Sequence, residues 1–524
     1  MMSKLNKSPA PKTTTLSKDG VVAFKHNEAN ELCERVLTSF FGEAKFYENG
    51  KVSDARLLHL VREVATKDPV FVAKLAVLAR EKFNLRSVTQ VITAELAKVH
   101  RGDALVSAVI NRTALRVDDL TDLIAYLIES KSTLKTDIYG KTKHVKTLPA
   151  QVRKGISTVF SKFNAYQLGK YKALGKSVKL RDLINLIHPT PVDAEQSAMW
   201  KSVLDGTLVT PDTWETALTQ AGQTAREEGA DSDKLESMKS DVWERMIVDK
   251  KLGYMALLRN LRNIIKSGVS PEAHAMAQAY LCNEKAVENS KQMPFRFYSA
   301  YKALTADTTL DPFLKKAYIK ALNAALYFSG RNYPKMKGRT VLVCDLSQSM
   351  NSKLSKMTEV SAKEVGAVLC SIASQFCEEF ITIGFGTNLK VIDLNDSPSA
   401  TLENIKVILD TNVGCNTEAN KVMDRLTSEN ISADNIIFFT DMQLNGGYNN
   451  SYNSTVDRYR KEINKDVYIY NLNLVGYGTT QLDPRNNRNI MMSGWSDNVL
   501  RYIAEFQELH SGITDMVNAV KLEY

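Results

Sequence analysis

A chain of 524 residues is long enough for roughly two to four domains and a sizeable core. Its 44% hydrophobic and 24% charged residues are those of a folded globular protein and exclude general disorder. The net charge of +9 hides an asymmetry: residues 1–338 carry 52 Lys/Arg against 36 Asp/Glu, and residues 339–524 carry 16 against 23, so a part at +16 precedes one at −7. A basic part joined to an acidic one suggests a polyanion partner for the first and a different task for the second.

The first twenty residues lack an apolar h-region, and no run of about 18 apolar residues follows, so neither a secretory signal nor a membrane span is expected. Cys33, Cys282, Cys344, Cys370, Cys377 and Cys415 form no Cys-x-x-Cys, which predicts reduced thiols and a cytoplasmic protein. After a polar arm over 1–20, apolar residues at helical spacing predict helices over 27–41 and 54–66, with a turn at Asn49-Gly50 between them. Asp68 before Pro69 reads as an N-cap with proline in the first turn. Similar helices are expected over 87–99, 104–115, 120–128, 181–187, 193–204, 214–221, 232–248, 254–265 and 312–327. Strand signals are nearly absent before residue 339. Short amphipathic helices in loose pairs, without a fixed period, predict an α-solenoid of HEAT or armadillo type, against the plainer reading of an irregular helical domain.

Within this part, residues 131–188 hold thirteen Lys/Arg and only Asp137 and Asp182 as acids, a net +11 in 58 residues. Such a run is either a solvated face or a nucleic-acid surface. Tyr166 and Tyr171 offer rings for base stacking, although aromatics at helical spacing more often face a core.

A Gly/Pro/basic connector over 329–338 ends the helical part. Beyond it, strands over 340–344, 380–385, 435–440 and 467–475 alternate with helices over 356–377, 418–426, 456–463 and 498–506, the pattern of a parallel, doubly wound α/β sheet. The first strand runs into Asp345-Leu346-Ser347-Gln348-Ser349, placing one carboxylate and two hydroxyls at a strand end. Gly414-Cys415-Asn416-Thr417-Glu418 supplies a loop hydroxyl, and the strand over 435–440 stops at Asp441. Hard oxygen donors of this kind suit Mg²⁺, Mn²⁺ or Ca²⁺ rather than zinc. Taken alone, Asp-x-Ser-x-Ser is also compatible with a strand followed by a capping turn.

The ordered set of Asp-x-Ser-x-Ser, Thr and Asp resembles the metal-ion-dependent adhesion site of von Willebrand factor A domains. The resemblance implies Asp345, Ser347, Ser349, Thr417 and Asp441 as ligands of one divalent cation, most simply Mg²⁺, with a position open to water or to a protein partner's carboxylate. Tyr254-Met255-Ala256-Leu257-Leu258-Arg259-Asn260-Leu261-Arg262-Asn263 and the stretch from Leu281 to Leu304 resemble the TROVE module of the Ro autoantigen family. So do Lys170 to Pro189 and Leu482 to Trp495. This implies a ring of HEAT-like repeats over 21–337 carrying a von Willebrand A domain over 338–524. It also implies a ribonucleoprotein that binds Y-like RNAs and the single-stranded 3′ ends of misfolded RNAs in RNA quality control. No Ser/His/Asp, Cys/His or paired-carboxylate set presents itself, so binding without catalysis is expected, and a monomer is expected. Lys170, Lys172 and His188 fall on family positions associated with RNA contact, with the spacing from Lys172 to His188 departing by one residue, and Lys176 and Arg181 share the stretch. His188 beside Pro189 also reads as a helix-end cap. Two other functions compete: a metal-dependent adhesion scaffold, and a metal-dependent nuclease, for which two Asp and three hydroxyls around one ion are a poor match.

Overall fold

The structure, a computed structural model, describes residues 14–16, 22–25, 27–38, 50–130, 134–136, 142–144, 148–171, 177–292, 294–330, 335–353, 359–395, 397–444, 451–475, 479–483, 485–486, 488–494, 498–505 and 513–524. Lys172, Lys176, Asn49 and Trp495, together with 331–334 of the expected connector and 356–358 of the expected helix over 356–377, lie outside them. The chain forms two compact units that are not continuous in sequence. One comprises residues 58–290, 303–321 and 517–524, and the other residues 1–57, 291–302 and 322–516.

The first unit is helical apart from the antiparallel pair Leu134–Thr136 and Thr142–His144. Asp68 Oδ1 accepts from the Phe71 amide at 2.9 Å, so the cap expected from Asp-Pro opens the helix Pro69–Glu81. This helix packs on Ser87–Val99 and on Leu105–Thr113, Ser87–Val99 on Val117–Glu129, and Leu105–Thr113 on Ala150–Phe160. Each helix thus meets the next but one, the arrangement of two layers in a helical-repeat stack. The stack continues through Leu180–Ile187, Ala194–Asp205, Trp214–Glu227, Ser232–Val248, Tyr254–Lys266 and Pro271–Leu281. Buried Asp119 fastens the early helices: it accepts from Arg86 Nε, from Arg80 Nη2 at 3.4 Å and from the Arg116 amide at 3.0 Å. A buried carboxylate requires such partners.

The second unit is built on a six-stranded sheet whose strands are β1 (Met336–Asp345), β2 (Cys377–Phe385), β3 (Leu389–Ile392), β4 (Asn435–Thr440), β5 (Tyr468–Asn473) and β6 (Asn489–Ser493). Their spatial order is β6-β5-β4-β1-β2-β3. The four expected strands pair in parallel, as does β6, and the unexpected edge strand β3 runs antiparallel to β2, because it returns after only three residues, too few for a crossover. Val341 and Val343 face a core shared with Ile436, Phe438, Val422, Met423 and Val456, so helices Ala419–Ser428 and Tyr452–Glu462 cover that face. The helix Ala362–Ala373 packs on β1 and β4 from the other. Burial on both faces explains why the strands read as continuous apolar runs. Outside the main sheet, Thr14–Leu16, within the segment expected as a polar arm, pairs antiparallel with Val22–Lys25. That strand also pairs with Thr479–Thr480. The helix Glu28–Thr38 belongs to this unit too, its Glu34 accepting from Asn473 at the end of β5 at 2.8 Å.

Candidate metal crevice and nucleic-acid interface

Strand β1 lies between β2 and β4, and the register that pairs Cys344 with Phe439 brings Asp345 beside Thr440 at the carboxyl ends of the two strands. Crevices of doubly wound sheets open at this edge, where the chain turns to either side. Thr440 Oγ1 donates to Asp345 Oδ2 at 2.7 Å, and the Ser347 amide donates to Asp345 Oδ1 at 3.0 Å. Ser347 Oγ and Ser349 Oγ stand 3.2 Å apart. The Gln443 amide donates to Asp441 Oδ1 at 3.0 Å, which orients the second aspartate. The Thr417 loop is tied in through its backbone, since the Gln348 amide donates to Cys415 O at 3.0 Å and the Glu418 amide to Gly386 O at 3.0 Å. Gly414 permits that approach. Its φ is +82°, and a Cβ there would meet Thr387 Oγ1 at 2.6 Å.

Asp345, Ser347 and Asp441 are fully buried, and Ser349 and Thr417 nearly so. Burial pushes the Asp345 carboxyl up to about 6, against the hydrogen bonds from Ser347 and Thr440 that favour its anion. A buried carboxylate left in that condition gains from a cation. Octahedral Mg²⁺–oxygen bonds of ~2.1 Å set neighbouring ligand atoms about 3.0 Å apart, close to the Ser347–Ser349 separation. The structure therefore brings Asp345, Ser347 and Ser349 together at one strand end, joins the ends of β1 and β4, and anchors the Thr417 loop beside them. Thr440 was missed by sequence reasoning; its only signal was its place directly before Asp441.

The expected RNA residues lie in the helical unit. The six-residue helix Ala165–Lys170 opens with a capping box in which Asn164 and Gln167 exchange side-chain-to-amide bonds. Leu168 is buried and Tyr166 and Lys170, four residues apart, share the outer face. The helix Leu180–Ile187 buries Leu180, Leu183, Ile184 and Ile187. Arg181, Asn185 and His188 are exposed along its opposite stripe, so Arg181 and His188 stand about 10 Å apart on one face. His188 has φ +50° and its amide donates to Ile184 O at 2.9 Å, so its backbone caps the helix while its ring remains at the surface. The helix-end position expected for His188 is thus observed, with the cap made by its backbone and its ring left exposed. Tyr166 is 52% exposed, which corrects the expectation that helically spaced aromatics face a core.

With this geometry in view, likeness to known proteins is informative. The TROVE domain model matches residues 38–221 and 197–310, and the Ro60 vWA domain model matches residues 339–507. The chain belongs to the Ro family. As a Ro-type protein of the TROVE class it is an RNA-binding protein by family. Its fold is similar to the crystal structure of the Deinococcus radiodurans RO (RSR) protein, with a TM-score of 0.58 at 17% identity, covering 91% of this chain and 99% of that one. It is also 24% identical over 327 residues to telomerase protein component 1 of Mus musculus and over 318 residues to that of Rattus norvegicus. These matches take in 48% and 46% of this chain but only 12% and 11% of those much longer relatives.

Proposed function

We propose that this Ro-family chain binds small structured, Y-like non-coding RNAs and the single-stranded 3′ ends of misfolded RNAs, holding them without cleavage in cytoplasmic RNA quality control. The observation that carries this reading is the exposed set Lys170, Arg181 and His188 in the TROVE-matched helical unit, within a stretch of net charge +11. Among the described residues neither Lys170 nor Arg181 is paired with a carboxylate, and exposed cations of this kind suit phosphates, which supply most of the affinity for a polyanion. Lys172 and Lys176 belong to the same basic stretch of the sequence.

The crevice of Asp345, Ser347, Ser349, Thr417 and Asp441 holds one divalent cation in this reading, Mg²⁺ before Mn²⁺ or Ca²⁺. When bound, the ion supplies a Lewis-acid position for water or for a partner's carboxylate. The two aspartates supply its charge, and the hydroxyls complete an oxygen shell. The chain acts as a monomer. Incubating the purified protein and Mg²⁺ with end-labelled RNA tests the proposal. Retention of intact RNA is expected; cleavage assigns a nuclease, and no retention leaves the adhesion scaffold.

A further inference from the structure

Lys170 lies among side chains that the RNA-binding reading above does not use. Arg116, at the start of the helix Val117–Glu129, lays its guanidinium 4.1 Å from the centroid of the Tyr171 ring. The same guanidinium pairs with Asp118, Nη2 to Oδ2 at 2.8 Å, so its charge is largely engaged within the protein. Lys170 Nζ stands 5.7 Å from the Tyr171 centroid and 5.7 Å from that of Tyr166. Among the described residues Lys170 has no acidic partner. The ammonium thus lies within reach of both rings while remaining available to an anion.

The back of this group is fixed. Leu168 is fully buried, and a Cβ on Gly169 would meet Val209 O at 2.7 Å and Pro211 Cδ at 2.8 Å, so the short helix rests directly on the 209–211 backbone. Tyr171 is covered by Arg116 and half-buried, whereas Tyr166 is 52% exposed. One ring anchors and the other is offered to solvent.

We propose that Tyr166 is a stacking platform for an unpaired nucleobase of single-stranded RNA whose adjoining phosphate is held by Lys170, with Tyr171 and Arg116 positioning both. This rests on the RNA-binding reading above and adds the chemistry recognised at the site: a flat π-face next to an anion. A base has that face in every sequence, so the platform selects unpaired over paired RNA without reading sequence.

The test compares a short single-stranded RNA carrying 2-aminopurine with its abasic counterpart, both titrated into the full chain. Tyr166→Ala is expected to weaken binding of the base-bearing strand roughly tenfold, to abolish quenching of 2-aminopurine, and to leave the abasic strand and the salt slope unchanged. Tyr166→Phe keeps the face and is expected to bind as the parent does. Lys170→Ala is expected to weaken both strands and make the salt slope shallower by about 0.7. Unchanged affinity of Tyr166→Ala for the base-bearing strand, or an equal loss for both strands, overturns the platform while the parent still binds RNA. A parent chain that binds neither strand overturns the broader reading as well.

Discussion

The crevice at the ends of β1 and β4 and the basic surface around Lys170 and His188 are opposites in construction. The first is dry: Asp345, Ser347 and Asp441 are fully buried, and their orientation is set by backbone amides and Thr440. The second is wet, its Lys170, Arg181 and His188 exposed on short helices. A buried site concentrates its effect in a few irreplaceable atoms, because each desolvated charge needs a partner. An exposed site spreads its effect over many cations, each screened by solvent and salt.

That contrast is sharpest for Asp345→Ala, which should abolish Mg²⁺ binding measured by calorimetry while leaving RNA affinity in a filter assay within a few-fold. A large loss of RNA binding with the fold intact would show that the two sites do not act separately. Next in size is Gly169→Ala, whose added Cβ meets the Val209 carbonyl. Overpacking against backbone should cost about 1–3 kcal/mol in denaturant unfolding and weaken RNA binding, with Mg²⁺ affinity unchanged. If stability does not change, the 209–211 segment yields and the platform is not fixed from behind.

Changing Lys170, Lys172 and Lys176 together to Ala should make the salt slope for single-stranded RNA shallower by about 2, lowering affinity for different RNAs about equally. His188→Ala should discriminate instead, costing more for RNAs with a free single-stranded end. An unchanged slope in a folded triple variant would return these lysines to a solvated face.

The smallest effect belongs to His274, buried in the helical unit with Nδ1 3.0 Å from Tyr318 Oη. Burial holds its pKa below 6.5, against the attraction of Glu244 and Asp311. The unfolded chain then takes up a proton more readily than the folded one, so stability is full above pH 6.5 and falls as the pH drops below it. His274→Gln should flatten this part of the thermal-stability profile between pH 7 and 5; an identical slope would assign the pH dependence to other groups.

Elements with strong apolar contrast were legible in the sequence, and Ser232–Val248 begins and ends where its periodicity predicts. Ala150–Phe160 was not, because Arg153 and Lys154 drew attention to charge while Val152, Ile156 and Val159 formed its buried stripe. Pro271–Leu281 escaped for the opposite reason: alanines make its inner face, giving little contrast, although Ser270 caps it from the Ser-Pro step. The four-residue β3 is too short to carry a period.

By itself the sequence determined on what kind of element each described candidate side chain sits. Strand ends and helix stripes follow from periods of two and 3.6, which are local properties of the chain. Tertiary structure alone decided which of them meet. Thr440 reaches Asp345 only because two strands distant in sequence run parallel in one register. Tyr166 faces solvent and Tyr171 lies under Arg116 only because the short helix is pressed onto the 209–211 segment and the Arg116 loop comes beside it. Burial and neighbourhood are sums over contacts from distant segments, and no local pattern contains them.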